Sequence, residues 1–407
     1  MDHLLFLAHR IPFPPDKGDK IRSWHLLKHL AKTYRVHLAT FIDDEDDWRH
    51  VDTVKKICGD TFFAQLAPRT ARVCSLTALA TNQPLTLAYY RNAAMQRWIT
   101  ELKQRYSIDR IVVFSSAMAQ FVPLDEAARC VIDFVDVDSD KWAQYALRKP
   151  WPASLIYRRE AHQLRRYERE VAARFAASLF VSSAEADLFR RLAPESSERI
   201  GHFSNGVDTD YFSPAHLFVD PFVGQKNTIV FTGAMDYWPN IDAVVWFADE
   251  VLPAILRRIP TASFYIVGSK PSSQVQDLAR RPGICVTGRV EDVRPYLAYA
   301  SVAVAPLRIA RGIQNKVLEA MAMARAVFVT PQALEGIAAQ PDEEVMLANH
   351  AQELQQKLIE FLLRPDPAIG IAARKLVDTK YGWAAHLAMI DQCLASPTTM
   401  IKDGCLA

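Results

Sequence analysis

Short apolar runs and amphipathic helical segments alternate along this chain, and the alternation begins twice. In the first half, Leu4 to Ala8, Val36 to Phe41, Ile111 to Phe114, Val131 to Val135 and Leu179 to Ser182 read as buried strands, with helices over Lys20 to Thr33, Arg159 to Phe175 and Ala184 to Arg191. A Pro/Gly-punctuated connector runs from Ser213 to Gly224. Beyond it, strands are expected at Thr228 to Thr232, Ser263 to Val267, Ile284 to Val286, Val302 to Ala305 and Val327 to Val329, with helices over Ala243 to Arg258 and Val317 to Met323. Strands joined through helices pair in parallel by right-handed crossovers, so each half predicts a doubly wound sheet. A chain of 407 residues also exceeds what one core usually supports. The expected class is α/β, with two Rossmann-like domains over 1–215 and 216–380 facing a central cleft. Ligands in such sheets bind at the carboxyl ends of the strands. Residues 381–407 open on Tyr381-Gly382-Trp383 and continue with apolar Leu387, Ile390 and Leu394, a last helix able to pack across the hinge.

Composition removes several classes. A net charge of +2 is far from the basic footprint of a nucleic-acid binder. No apolar run reaches the roughly 18 residues of a transmembrane helix. The start, Met1-Asp2-His3, is acidic and its apolar run too short for a signal peptide. Six cysteines without a C-x-x-C pair or metal-ligand spacing read as reduced thiols, so a cytoplasmic protein is expected.

The second half carries the sharpest chemical signal. Gly312-Ile-Gln-Asn-Lys316-Val-Leu-Glu319 reads as a loop entering a helix. A helix start offers unpaired N–H groups and a positive dipole end to an anion. Lys316 adds a cation in the first turn, where the dipole alone disfavours one, and this suits a nucleotide diphosphate. Glu319, one turn further, is placed to accept hydrogen bonds from sugar or ribose hydroxyls. Gly233 and Gly288 close two strands, where a missing side chain lets backbone approach a ligand, and Arg289 offers a diphosphate a bidentate fork. Plain turns, with Lys316 and Arg289 solvated, fit the same spacing.

In the first half, Gly18 lies in the first strand-to-helix loop and lets it approach a donor phosphate or an acceptor. The loop lacks the G-x-G-x-x-G fingerprint, which argues against a nicotinamide dehydrogenase. Asp133, Asp136, Asp138 and Asp140 follow a strand. Alternation puts Asp136 and Asp138 on one side, close enough for one to have a raised pKa and serve as acceptor base; a metal-binding cluster and solvated loop carboxylates are the other readings. His9 ends the first strand, while His25 and His29 have a spacing that can bind metal but no third ligand in view, which favours a solvated or partly buried pair. Arg158, Arg159, Arg165 and Arg166, interleaved with Trp151, Tyr157 and Tyr167, suit an anionic membrane surface or a helix laced with i,i+4 pairs.

Ser204-Asn205-Gly206-Val207-Asp208 with Phe212 and Pro214, followed by Glu319-Ala-Met-Ala, resembles the retaining GT-B glycosyltransferases known as glycosyl transferases group 1. Arg10-Ile-Pro-Phe-Pro-Pro-Asp-Lys17-Gly18-Asp-Lys20, Asp133-Phe-Val-Asp136-Val-Asp138 and Gly233-Ala-Met-Asp236-Tyr-Trp-Pro-Asn240 are similar to the narrower branch associated with PEP-CTERM/exosortase exopolysaccharide loci.

That resemblance implies a hexosyltransferase using a nucleotide-sugar donor as substrate, without metal or cofactor, and a saccharide or lipid-linked saccharide acceptor. The basic, aromatic stretch from Trp151 to Tyr167 adds the expectation of peripheral work at the inner face of the plasma membrane. Glu319 matches the second glutamate of the family pair, which contacts the ribose, whereas the first falls at Arg311. A guanidinium has no acceptor, so Arg311 either points away while another group holds the sugar or pairs with an acidic donor such as a uronate. The usual Gly-x-Pro turn is Ala324-Arg325-Ala326, and the usual histidine after a middle strand gives way to Phe114-Ser115-Ser116. A GT-B sugar-nucleotide epimerase and a non-catalytic sugar-nucleotide-binding scaffold share the same donor motifs.

Overall fold

The computed structural model describes residues 1–15, 17–123, 127–148, 150–310 and 313–395, so the expectations placed on Arg311 and Gly312 lie outside the described residues. Among the described residues, thirteen strands form two sheets. The first contains β1 (His3–Ala8), β2 (Arg35–Ile42), β3 (Thr61–Gln65), β4 (Ile108–Phe114), β5 (Cys130–Val135), β6 (Ala177–Phe180) and β7 (Ile200–His202), in the order β3-β2-β1-β4-β5-β6-β7. The second contains β8 (Thr228–Thr232), β9 (Ser263–Val267), β10 (Ile284–Gly288), β11 (Val302–Ala305), β12 (Val327–Val329) and β13 (Met346–Leu347), in the order β10-β9-β8-β11-β12-β13. Neighbouring strands pair in parallel in both.

Parallel strands covered by helices on both faces are apolar along their whole length rather than at alternate positions. Leu4 to Ala8 are accordingly all buried, and so are Thr228 to Thr232. In each sheet the chain moves outward from its first strand and then crosses to the other side. The switch points fall between β1 and β4 and between β8 and β11, where ligands gather in such sheets.

The chain divides into one unit of Met1–Ser204 with Leu387–Ala407 and a second of Asn205–His386. The sequence reading set the first boundary at 215, but contacts made by 205–215 tie that segment to the second unit. Val207 N donates to Tyr381 O at 2.8 Å, and Arg374 donates to Thr209 O at 2.9 Å and to Phe212 O at 2.5 Å. Gly206 is fixed by the same contact, because a Cβ there would lie 2.8 Å from Tyr381 O. The Trp383–Ala395 helix starts in the second unit, and its residues from Leu387 count with the first.

Candidate functional site

In the second unit the ends of β8, β9 and β10 are stitched together by backbone. Gly233 N donates to Val267 O at 3.0 Å and Gly268 N to Gly288 O at 3.2 Å. Gly233 has φ +154, and a Cβ on it would lie 2.8 Å from Asn240 Nδ2. Against this bare strand end lies Lys316, in the first turn of the Asn315–Ala322 helix. Its ammonium donates to Asn240 Oδ1 at 2.5 Å and sits 4.3 Å from the centre of the Phe231 ring. Asn240 is itself oriented by donating through Nδ2 to Ala234 O at 2.9 Å.

Lys316 thus has neutral neighbours and no ion-pair partner among the described residues. Burial pushes its pKa down to about 7, against the pull of Glu319. The Glu319 carboxyl is pushed up to about 7, again by burial, with Lys316 opposing. The Glu319 carboxylate makes no hydrogen bond among the described residues and lies close enough to Tyr211 to raise that phenol further. A cation and an acceptor, both short of partners, are what an anionic polyhydroxy ligand would satisfy.

Sequence reasoning singled out Gly233, Lys316 and Glu319, and the fold brings Gly233 and Lys316 into contact. Asn240, within a quoted motif but given no role, is the residue that holds Lys316 in place. Arg289 is an exposed side chain after Gly288. Arg374 donates to Ala322 O at 2.5 Å and so caps the carboxyl end of the Lys316 helix, opposite its dipole.

In the first unit, His9, Ser115–Ser116 and Asp136–Asp138 follow β1, β4 and β5, three adjacent strands. Ser116 Oγ donates to Asp138 Oδ2 at 3.2 Å. Lys141 Nζ donates to Asp136 Oδ2 at 2.5 Å and stands 3.7 Å from Asp138 Oδ1. Burial raises the Asp138 pKa, and the Asp136 charge adds to it while Lys141 and His9 oppose. The His9 ring stacks on Phe114 with centroids 5.7 Å apart, and its Nε2 is 3.4 Å from Asp19 Oδ2. Its buried Nδ1 has no partner among the described residues.

Two glutamates hold the start of the Asp138–Arg148 helix. Glu185 accepts from Val137 N at 2.8 Å and Glu168 from Ser139 N at 3.1 Å, satisfying donors that a helix start leaves open. Glu168 is fully buried and its pKa is pushed up to about 8, by burial and then by Asp138. Ser115 (φ +82) and the β-branched Val135 (φ +70) adopt left-handed backbone beside this cluster. Such conformations cost about 1–3 kcal/mol each and concentrate at functional sites. Asp133 is different in kind. It is fully buried, accepts from Arg22 Nε at 2.6 Å and from Val135 N at 3.1 Å, and supports the strand end rather than facing a ligand. Gly18 opens the Gly18–Thr33 helix with free space where a Cβ would stand.

Comparison with known proteins places these features. Residues 226–364 match the profile of glycosyl transferases group 1. No curated protein matches the chain. Among solved structures, sucrose-phosphate synthase from Thermosynechococcus elongatus superposes with a TM-score of 0.65 at 16% identity, over 97% of this chain and 98% of that one. WaaG, a glycosyltransferase involved in lipopolysaccharide biosynthesis, gives 0.63 at 17% identity over 97% and 100%. HepE from Anabaena, solved with UDP-glucose, gives 0.63 at 13% over 97% and 100%. At these identities the likeness establishes the fold, two parallel-sheet Rossmann-like domains of the GT-B kind. The stretch that matches glycosyl transferases group 1, residues 226–364, contains Gly233, Asn240, Lys316 and Glu319.

Proposed function

We propose that the chain is a retaining glycosyltransferase that moves a hexose from a nucleotide-sugar donor to a lipid-linked saccharide in exopolysaccharide synthesis. The observation that carries the reading is the Lys316 ammonium, held by Asn240 over a glycine strand end with no carboxylate partner among the described residues. A leaving diphosphate needs its charge neutralised, and a fixed cation beside helix N–H groups performs this without reorganising. Glu319 then accepts from the ribose, and Asp138, with its raised pKa, receives the acceptor proton. In this reading the chain's own groups meet the charge, so no metal is called for. The UDP and UDP-glucose complexes of HepE support a uridine nucleotide as the first donor to try.

A surface of the first unit supports work at a membrane, through only part of the set that the sequence singled out. Arg159 is spent internally, donating to the carbonyls of Ala78 at 2.7 Å and Thr81 at 2.5 Å. Leu147, near the end of the Asp138–Arg148 helix, and Trp151, before the Ala153–Arg174 helix, are 81% and 79% exposed, and Leu155 and Arg158 are exposed in the first turns of the latter. Apolar and indole groups flanked by cations suit a headgroup interface. No helix among the described residues is long and apolar enough to cross a membrane.

The test is a thermal-shift series with UDP, GDP, ADP and dTDP sugars. A ligand specific for the folded form adds about 2.7 kcal/mol of apparent stability at a hundred times its dissociation constant. Stabilisation by one nucleotide class, lost in Lys316→Met, is the expected result. No shift with any of them removes the donor assignment.

A further inference from the structure

The first unit contains a second concavity, of about 580 Å³, that the reading above leaves unused. Its wall includes six side-chain amides: Asn82, Gln83, Asn92, Gln96, Gln120 and Gln163. Each is fixed by one internal hydrogen bond. Gln163 Nε2 donates to Asn82 Oδ1 at 2.7 Å, Gln120 Nε2 to Ala117 O at 2.8 Å and Gln96 Nε2 to Phe121 O at 3.4 Å. Gln83 Oε1 accepts from Arg91 Nη2 at 2.5 Å, and Asn92 Oδ1 from Met95 N at 2.9 Å.

The unused halves of these amides are therefore defined. Gln96, Gln120 and Gln163 keep a carbonyl oxygen without a partner among the described residues, and Asn82, Gln83 and Asn92 keep an NH2 group. Acceptors and donors are balanced, which matches hydroxyl groups, since each of those donates once and accepts. The rings of Phe121 and Tyr167 and the side chain of Leu87 supply apolar wall. Three ionised side chains also line it: Glu170 is paired with Arg174, Arg91 donates to the neutral Gln83 amide, and Arg166 has no partner among the described residues. An anion cradle would need a cluster of cations, and a lipid pocket would not carry six fixed amides.

Two features tie this cavity to Asp138. The Ser116–Phe121 turn has Ser116 donating to Asp138 at one end and Gln120 and Phe121 lining the cavity at the other, a span of about 10 Å for 3₁₀ geometry. The Ala153–Arg174 helix brings Gln163, Arg166, Tyr167 and Glu170 to the cavity on one face, while Leu155 and Arg158 are exposed nearer its start.

We propose that this cavity is a saccharide-binding subsite of the acceptor, holding neutral sugar units of the growing glycan at a distance from the one that receives the new bond. The assignment rests on the glycosyltransferase reading. The experiment uses the full chain and saturation-transfer NMR with maltose, cellobiose and chitobiose as probes, on wild type, Gln163→Leu and Gln120→Leu, with the UDP thermal shift measured on the same samples. The expected result is transfer to at least one disaccharide, weakened about tenfold in Kd by either substitution, with an unchanged UDP shift. Absence of transfer to all three probes, or transfer that both variants retain in full, overturns the subsite. An absent UDP shift alongside variant-sensitive disaccharide binding would instead count against the donor reading and leave the cavity as a saccharide site.

Discussion

The Lys316 ammonium lies 3.0 Å from the position that a Cβ on Gly233 would occupy, so the half-buried cation needs the bare strand end. Gly233→Ala would push Lys316 and Asn240 apart and also strain a backbone at φ +154. Expected is a loss of UDP affinity of about 2 kcal/mol, roughly 30-fold in Kd, for Gly233→Ala and for Lys316→Met, read by calorimetry. Lys316→Met should leave the folded protein at least as stable as wild type, because it removes an ammonium that burial disfavours. Wild-type affinity in both variants would detach Lys316 from the donor.

The two shifted groups give stability a particular dependence on pH. Glu319 has its folded pKa raised from 4.5 to about 7, so its favourable contribution is present below 4.5 and is lost as pH rises through 7. Lys316 has its folded pKa lowered from 10.5 to about 7, so its contribution is present above 10.5 and is lost as pH falls through 7. The combined contribution is smallest near pH 7. Urea denaturation across this range should show the fall between pH 4.5 and 7 flattened in Glu319→Gln relative to wild type.

Asp138→Asn should leave the UDP thermal shift intact, since Asp138 lies in the unit that does not carry Lys316. Turnover of the donor should fall about 10²- to 10⁴-fold, the usual contribution of a general base. Release of UDP from UDP-glucose, followed with a coupled assay, measures it; undiminished release would take Asp138 out of the chemistry.

The Arg22–Asp133 pair separates support from catalysis. Both side chains are fully buried, with Arg22 Nη1 also donating to Phe203 O at 2.9 Å. Arg22→Met leaves a buried carboxylate uncompensated and should cost about 3–5 kcal/mol in urea denaturation, whereas Arg22→Met with Asp133→Leu should recover much of the loss.

If the exposed apolar corner engages lipid, Leu147→Ser with Trp151→Ser should release the protein from anionic liposomes in a sedimentation assay. Replacing the internally bonded Arg159 should instead lower stability, because three loop carbonyls lose their donor. Retention of the double serine variant on the liposomes would exclude this corner as the contact.

Strand runs such as Leu4 to Ala8 and Thr228 to Thr232 were legible because parallel strands buried on both faces must be apolar throughout. β3 was not, since Thr61, Phe62 and Phe63 on an edge strand are only half-buried and carry no such signature. Helix starts were blurred for a related reason. The helix expected from Ala243 begins at Trp238 with Pro239 in its first turn and changes to a π-turn at Phe247–Val251. Lys316 and Glu319 could be found from one turn of helix because their spacing is local. The partnership of Lys316 with Asn240, 76 positions away, depends on two strand ends meeting and leaves no local pattern. The amide-lined cavity was invisible for the same reason, as its six amides come from segments between Asn82 and Gln163.

The helix shared by the two units also has a bearing on biosynthesis. Leu387, Ile390 and Leu394 are buried, His29 bonds Asp391 at 2.9 Å, and Arg110 reaches Leu394 O at 3.5 Å, so the first unit is incomplete until residues beyond 386 have been made. At ordinary rates of translation, the ribosome takes about 10 to 40 s to pass from Ser204 to Leu387. For that interval the nascent first unit lacks the segment that bonds His29 and Arg110, so its final closure is post-translational in timing.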